Sequence, residues 1–202
     1  MNMGKKKFEV FDPNPSIKFA LKLFSKTNIS QFALIGKLAM WVYMDDESQH
    51  EYTKDVDFAV NLKEISTIET QIVKQGLTYK NLYIGGIAIR EKGLNIDFID
   101  RRLNGIDPMF IEAIQEASIK VSVDHYSIPV VSIEHLIAMK MVSGEPKDDK
   151  DVKKLLSLMK ANYKKTKSIV TKYLGAITAE RLDVFAREAG ILPKNKTYLN
   201  SC

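Results

Sequence analysis

The sequence predicts an α+β (α/β) fold: a mixed sheet flanked by helices, followed by a helical C-terminal region. Three observations predict it. Short apolar runs with a period of two recur between residues 31 and 131, each bounded by turn residues. Helically spaced apolar residues interleave with those runs. From Ser132 onward only helical spacing is found.

Each element can be justified in turn. Residues 1–14 are polar and proline-bearing and are expected to form a flexible arm. Ser16 to Lys26 has Ile17, Ala20, Leu21 and Phe24 at helical spacing. Phe32-Ala33-Leu34-Ile35-Gly36-Lys37-Leu38-Ala39-Met40-Trp41-Val42-Tyr43 reads as a buried strand over 31–35, a glycine turn, and an apolar helix over 37–44. Glycine at such a turn lets a backbone or a phosphate approach closely. Residues 45–54 are a polar loop, and 55–60 a strand. Ile65, Ile68, Ile72 and Val73 mark one face of a helix that Gly76 stops. Strands are expected over 77–84, 86–91 and 94–100, with turns at Gly85-Gly86 and Lys92-Gly93. Asp107-Pro108 opens a helix to about Ala117, and 118–123 and 126–131 read as two more strands. Helices over 132–143, 147–161, 165–174 and 178–189 follow, with Ser132 and Thr178 as N-caps and Gly190 as a stop. The domain reading is an arm over 1–14, a sheet domain over 15–131, and a helical region over 132–202. No glycine-rich linker is visible, so the helical region is expected to pack on the sheet domain.

The chemistry-bearing feature is Thr53-Lys54-Asp55-Val56-Asp57-Phe58-Ala59-Val60. Strand period two sends Asp55 and Asp57 to one side and Val56, Phe58 and Val60 to the other. Like charges so placed repel unless a cation such as Mg²⁺ bridges them. A third carboxylate, Asp97, has the outward parity in Leu94-Asn95-Ile96-Asp97-Phe98-Ile99-Asp100. Three carboxylates on neighbouring strands are the minimum set for metal-assisted phosphoryl or nucleotidyl transfer. A D-x-D pair taken alone also marks an ordinary solvated strand start.

The order of these pieces resembles the DNA polymerase beta-type nucleotidyltransferase superfamily: strand, glycine turn, helix, polar loop, T-x-D-x-D, then a later aspartate on another strand. Two further segments are similar to the helices that follow the catalytic sheet in small bacterial relatives: residues 129–141, with His135 and Lys140, and Lys147-Asp148-Asp149-Lys150-Asp151-Val152-Lys153-Lys154-Leu155-Leu156. The group most resembled is the abortive-infection nucleotidyltransferase toxins and their relatives, over residues 30 to 160. The resemblance implies a nucleotidyltransferase-like domain over 15–131. It implies catalysis and Mg²⁺ binding, two ions in all, by Asp55, Asp57 and Asp97, with Asp97 helping to activate an acceptor hydroxyl. Nucleotide contacts are implied at Gly36, Lys37, Thr53 and Lys140. Implied partners are an NTP, an RNA (tRNA), protein or small-molecule acceptor, and an antitoxin. The chain departs from the family at its turn, where Gly36-Lys37 stands in place of Gly-Gly or Gly-Ser. A lysine there serves as a phosphate contact or blocks the pocket.

Composition removes several classes. An apolar fraction of 45% is ordinary for a globular protein. No apolar run approaches the roughly 20 residues of a membrane span, so no membrane partner is expected. The basic start lacks an apolar stretch behind it, and the single cysteine, Cys202, allows no disulfide framework; a cytoplasmic setting is expected. Three histidines without a cysteine partner make zinc an unpromising choice. The net charge is +5, yet Lys147 to Lys172 holds nine lysines against three aspartates. A solvated helical face explains that stretch, as does an anionic partner such as RNA. Two alternatives to an enzyme therefore stand: a catalytically inactive nucleotidyltransferase-like binding module, and a basic RNA-binding regulatory protein.

Overall fold

The computed structural model describes residues 12–193. The described chain divides into two compact units between Val131 and Ser132. Most of the expected arm, and Cys202, lie outside the described residues; Asn14 already begins the first helix.

The first unit carries α1 (Asn14–Thr27), β1 (Phe32–Ile35), α2 (Gly36–Val42), β2 (Val56–Val60), α3 (Ile65–Lys74), β3 (Lys80–Asn81), β4 (Gly86–Glu91), β5 (Leu94–Ile99), α4 (Asp107–Gln115), β6 (Ile119–Val123) and β7 (Tyr126–Val130). Its strands form one sheet in the order β3-β4-β5-β2-β1-β7-β6. The sheet is mixed: β2 runs parallel to β5 and β1 to β7, while the other neighbours are antiparallel. This is the α+β architecture that alternating period-two and helical segments demand.

Register follows from the core. Phe58 on β2 pairs with Phe98 on β5, and both are fully buried. Their rings stack 6.3 Å apart, and Phe24 of α1 meets both edge-on, at 5.4 and 5.7 Å. Aromatic contacts of this geometry add stabilisation beyond the area they bury, about 0.5–1.5 kcal/mol each. α1 is tied to β5 by a polar contact as well, since the Asn95 N–H donates to the buried Ser16 hydroxyl at 3.0 Å. At the other side of the centre, the Tyr43 hydroxyl donates to the Val131 carbonyl at 2.6 Å.

The strand expected over 77–84 shortens to Lys80–Asn81. Residues 82–86 close a tight turn instead: the Leu82 N–H donates to the Gly86 carbonyl (2.9 Å) and the Gly85 N–H to the Leu82 carbonyl (3.0 Å). Tyr83 at its tip is exposed.

The second unit is three helices, α5 (Ile133–Met141), α6 (Pro146–Ser157) and α7 (Tyr163–Glu188), packed on one another. Ser132 caps α5 by accepting from the His135 N–H. α7 is two helices that meet at Gly175, whose φ of 82° and ψ of 174° are not helical, so the helices expected over 165–174 and 178–189 are both present with the break at Gly175. The second helix resumes directly after Gly175, which places Thr178 inside its first turn and not at the N-cap; the Thr178 hydroxyl donates back to the Leu174 carbonyl at 3.0 Å. The cap that opens α7 is Asn162, which accepts from the Lys165 N–H.

Candidate active site: an acidic triad on two parallel strands

β2 and β5 lie side by side with Asp57 paired to Asp97. The pairing that buries Phe58 and Phe98 sends these two aspartates to the opposite face. Asp55, just before β2, shares their side. A carboxylate oxygen from each of Asp55, Asp57 and Asp97 lies within 4.8 Å of the others, and all three residues are half-buried.

Gly36 makes room for this arrangement. It begins α2 with φ +68°, and a Cβ built there would overlap the Asp57 carboxylate. Sequence reasoning expected a close approach at this glycine. The group that approaches is Asp57.

Thr53 is buried, and its hydroxyl lies 3.2 Å from the Asp55 carbonyl and 3.3 Å from the Asp55 carboxylate. It holds Asp55 at the strand entrance. Lys37, the second residue of α2, places its Nζ 3.2 Å from Glu51 in the loop before Thr53. That loop is also clamped to α2 by His50, whose ring stacks on Trp41 with centroids 4.8 Å apart and planes 2° from parallel.

Arg90 is the site residue that sequence reasoning missed. It sits on β4, its guanidinium ion-paired to Asp97 and 3.9 Å from Asp55. Its Nη1 donates to the carbonyls of Ile89 (2.9 Å) and Ile96 (3.0 Å). A signal for it exists in Gly86-Ile87-Ala88-Ile89-Arg90: Ile87 and Ile89 take the core face, so Arg90 takes the face of the carboxylates.

Electrostatically, burial pushes the Asp97 carboxyl above its ordinary range. The Arg90 charge and hydrogen bond oppose that rise, and the Asp55 charge adds to it. Repulsion within the triad is therefore the lesser cause, and burial the greater.

Solved structures similar to this chain are nucleotidyltransferase-like proteins. An antigenic nucleotidyltransferase-like protein from Paracoccidioides brasiliensis is 14% identical, with 86% of this chain and 93% of that one covered and a TM-score of 0.49. The antibiotic-resistance factor ANT(2'')-Ia is 14% identical, with 86% and 90% covered and a TM-score of 0.48. The lincosamide antibiotic adenylyltransferase LnuA, bound to lincomycin, is 16% identical, with 71% and 96% covered and a TM-score of 0.47. No protein-family model and no curated protein matches the sequence.

Lys140 lies in the second unit, on α5. Its ammonium is held by Asp148 at 2.7 Å and Asp151 at 2.9 Å, one helical turn apart on α6, and the Ser143 hydroxyl donates to Asp148. Burial alone would lower the Lys140 pKa, but its hydrogen bond to Asp148 and the charges of Asp151 and Asp148 raise it overall. The Lys-Asp-x-x-Asp segment thus has a structural use: two buried carboxylates that hold one half-buried ammonium.

Three lysines of the lysine-rich stretch are ion-paired within the same unit. Lys147 meets Glu145 at 3.0 Å, Lys153 meets Glu188 at 2.6 Å, and Lys167 meets Asp183 at 2.9 Å. Among the described residues, no helix is long and apolar enough to cross a membrane.

Proposed function

We propose that the chain is a metal-dependent nucleotidyltransferase that moves an NMP from an NTP to a hydroxyl of an RNA, a protein or a small molecule. The carrying observation is the convergence of Asp55, Asp57 and Asp97 within 4.8 Å.

The donor set fits magnesium. Three carboxylates supply hard oxygen ligands, and Mg²⁺ keeps the rest of its shell as water and phosphate. The missing Cβ at Gly36 leaves Asp57 the place it needs. A divalent ion bound there would neutralise charge on the nucleotide phosphates during in-line displacement. Asp55 and Asp57 are the ligands on that reading, with Thr53 positioning Asp55. Asp97 shares in binding and takes the proton of the acceptor hydroxyl. Lys37 at the glycine turn is a phosphate contact, with Glu51 holding it before nucleotide arrives.

A second reading is a nucleotide-binding module without turnover. Arg90 favours it, because a guanidinium already answers the charge of Asp97.

Incubation with each labelled NTP, Mg²⁺ and either cell extract, tRNA, or aminoglycosides and lincosamides tests both readings. Transfer of label that Asp57→Asn abolishes supports the enzyme. Binding of NTP with no label transferred in any mixture supports the module. Growth arrest on expression, relieved by Asp57→Asn, tests the toxin setting that the sequence resemblance implies.

A further inference from the structure

We propose that Arg90 is a resident counter-ion of the acidic triad, which a divalent ion must displace from Asp97 before the three carboxylates act together. The inference rests on the metal-site reading above.

Arg90 is not a loose surface arginine. Ala88 on β4 pairs with Asp97 on β5, and Arg90 is the next residue on the same face. Its Nη1 is fixed on two main-chain carbonyls, those of Ile89 and Ile96. That anchorage directs Nη2 to Asp97, with Asp55 at 3.9 Å. A planar fork holds its donors in fixed directions, so its hold on the backbone also sets the direction of the donor that meets the carboxylate; an ammonium on a flexible stem lacks that fixed geometry.

Arg90 offsets part of the negative charge that Asp97 and Asp55 present to an incoming cation, so the site with Arg90 in place binds a divalent ion more weakly than the carboxylates would without it.

The test uses the full chain without nucleotide and follows Mn²⁺ binding by the resonance signal of the unbound ion. Arg90→Gln is expected to bind Mn²⁺ at least about tenfold more tightly than wild type, because one positive charge close to the ion is gone. Arg90→Lys is expected to fall between the two, since it keeps the charge and loses the fork. Asp57→Asn should abolish binding in either background. Equal or weaker binding by Arg90→Gln, with Asp57→Asn still abolishing it, would overturn the counter-ion role and leave the metal site standing. If Arg90→Gln does not fold, Arg90→Lys decides: affinity no tighter than wild type overturns the role. No Mn²⁺ binding by wild type and Arg90 variants alike, or binding that Asp57→Asn leaves intact, overturns the metal site and this inference with it.

Discussion

The carboxylate of Asp57 stands where a side chain on Gly36 would begin. The glycine directly follows β1 and the aspartate lies on its paired neighbour β2, since Ile35, just before Gly36, is the register partner of Asp57. Gly36→Ala is therefore expected to fail twice. A left-handed φ costs a non-glycine residue about 1–2 kcal/mol, and the new methyl pushes Asp57 out of the triad. Chemical denaturation should show the loss of stability, and the rise in melting temperature with millimolar Mg²⁺ should vanish. A variant that keeps the wild-type Mg²⁺ shift would show that Asp57 does not need its present position.

Asp97 is expected to cost the metal-free protein stability at neutral pH. Its folded pKa is raised, so the stability linked to its proton is fully present below the ordinary 3.8 and is lost as pH rises through the folded value. Asp97→Asn should then melt higher than wild type at pH 7, by about 1 kcal/mol, and the gap should close in acid below about 3.8. Melts of both proteins across pH, in chelator, make the comparison. A variant less stable than wild type at pH 7 would mean that the Arg90 ion pair outweighs the burial of Asp97.

The Lys140 cluster should behave oppositely. Lys140 has a raised pKa, so its contribution holds below its ordinary 10.5 and is lost at still higher pH. Burial would push Asp148 up, but its hydrogen bonds from Lys140 and Ser143 bring its pKa down, so its contribution holds above 3.8 and is lost in acid. Lys140→Ala strands two carboxylates beside each other and should destabilise the protein by about 3–5 kcal/mol. Urea denaturation monitored by helix content is the measurement. A loss well under 1 kcal/mol would point to a cluster already compensated by solvent.

Lys37 and Glu51 form a pair whose two halves should have opposite effects on nucleotide binding. If Lys37 contacts phosphate, Lys37→Ala weakens NTP affinity by about 1–3 kcal/mol. Glu51→Gln, which releases the ammonium, should strengthen it. Titration calorimetry on both variants gives the answer, and two unchanged affinities would remove Lys37 from the phosphate site.

Much of this was legible in the sequence because period-two parity is a strong constraint. Asp55, Asp57 and Asp97 could be assigned to one side from the apolar residues alternating with them, and α3 begins and ends where its isoleucines and Gly76 imply. What escaped were contacts between segments. Arg90 reaches Asp97 through the pairing of β4 with β5, and a single strand's pattern does not say which neighbour it faces. Glu51 meets Lys37 across a loop with no periodicity of its own. The break between the last two helices was legible at Gly175, but the second helix resumes directly after it, so Thr178 is not the cap its residue type suggested. The contact of the Thr53 hydroxyl with Asp55 lies within a segment that has no period to reveal it.

The shared register of β2 and β5 has an evolutionary consequence. Seating Phe58 beside Phe98 also seats Asp57 beside Asp97. A slip of one position would drive carboxylates into the hydrocarbon interior and turn phenyl rings out to water. A packed core therefore excludes a slipped pairing of Asp57 with Asp97. Mutation can silence this centre by exchanging a side chain, as Asp57→Asn would, but a slip of the β2–β5 register cannot detune it while the core stays packed.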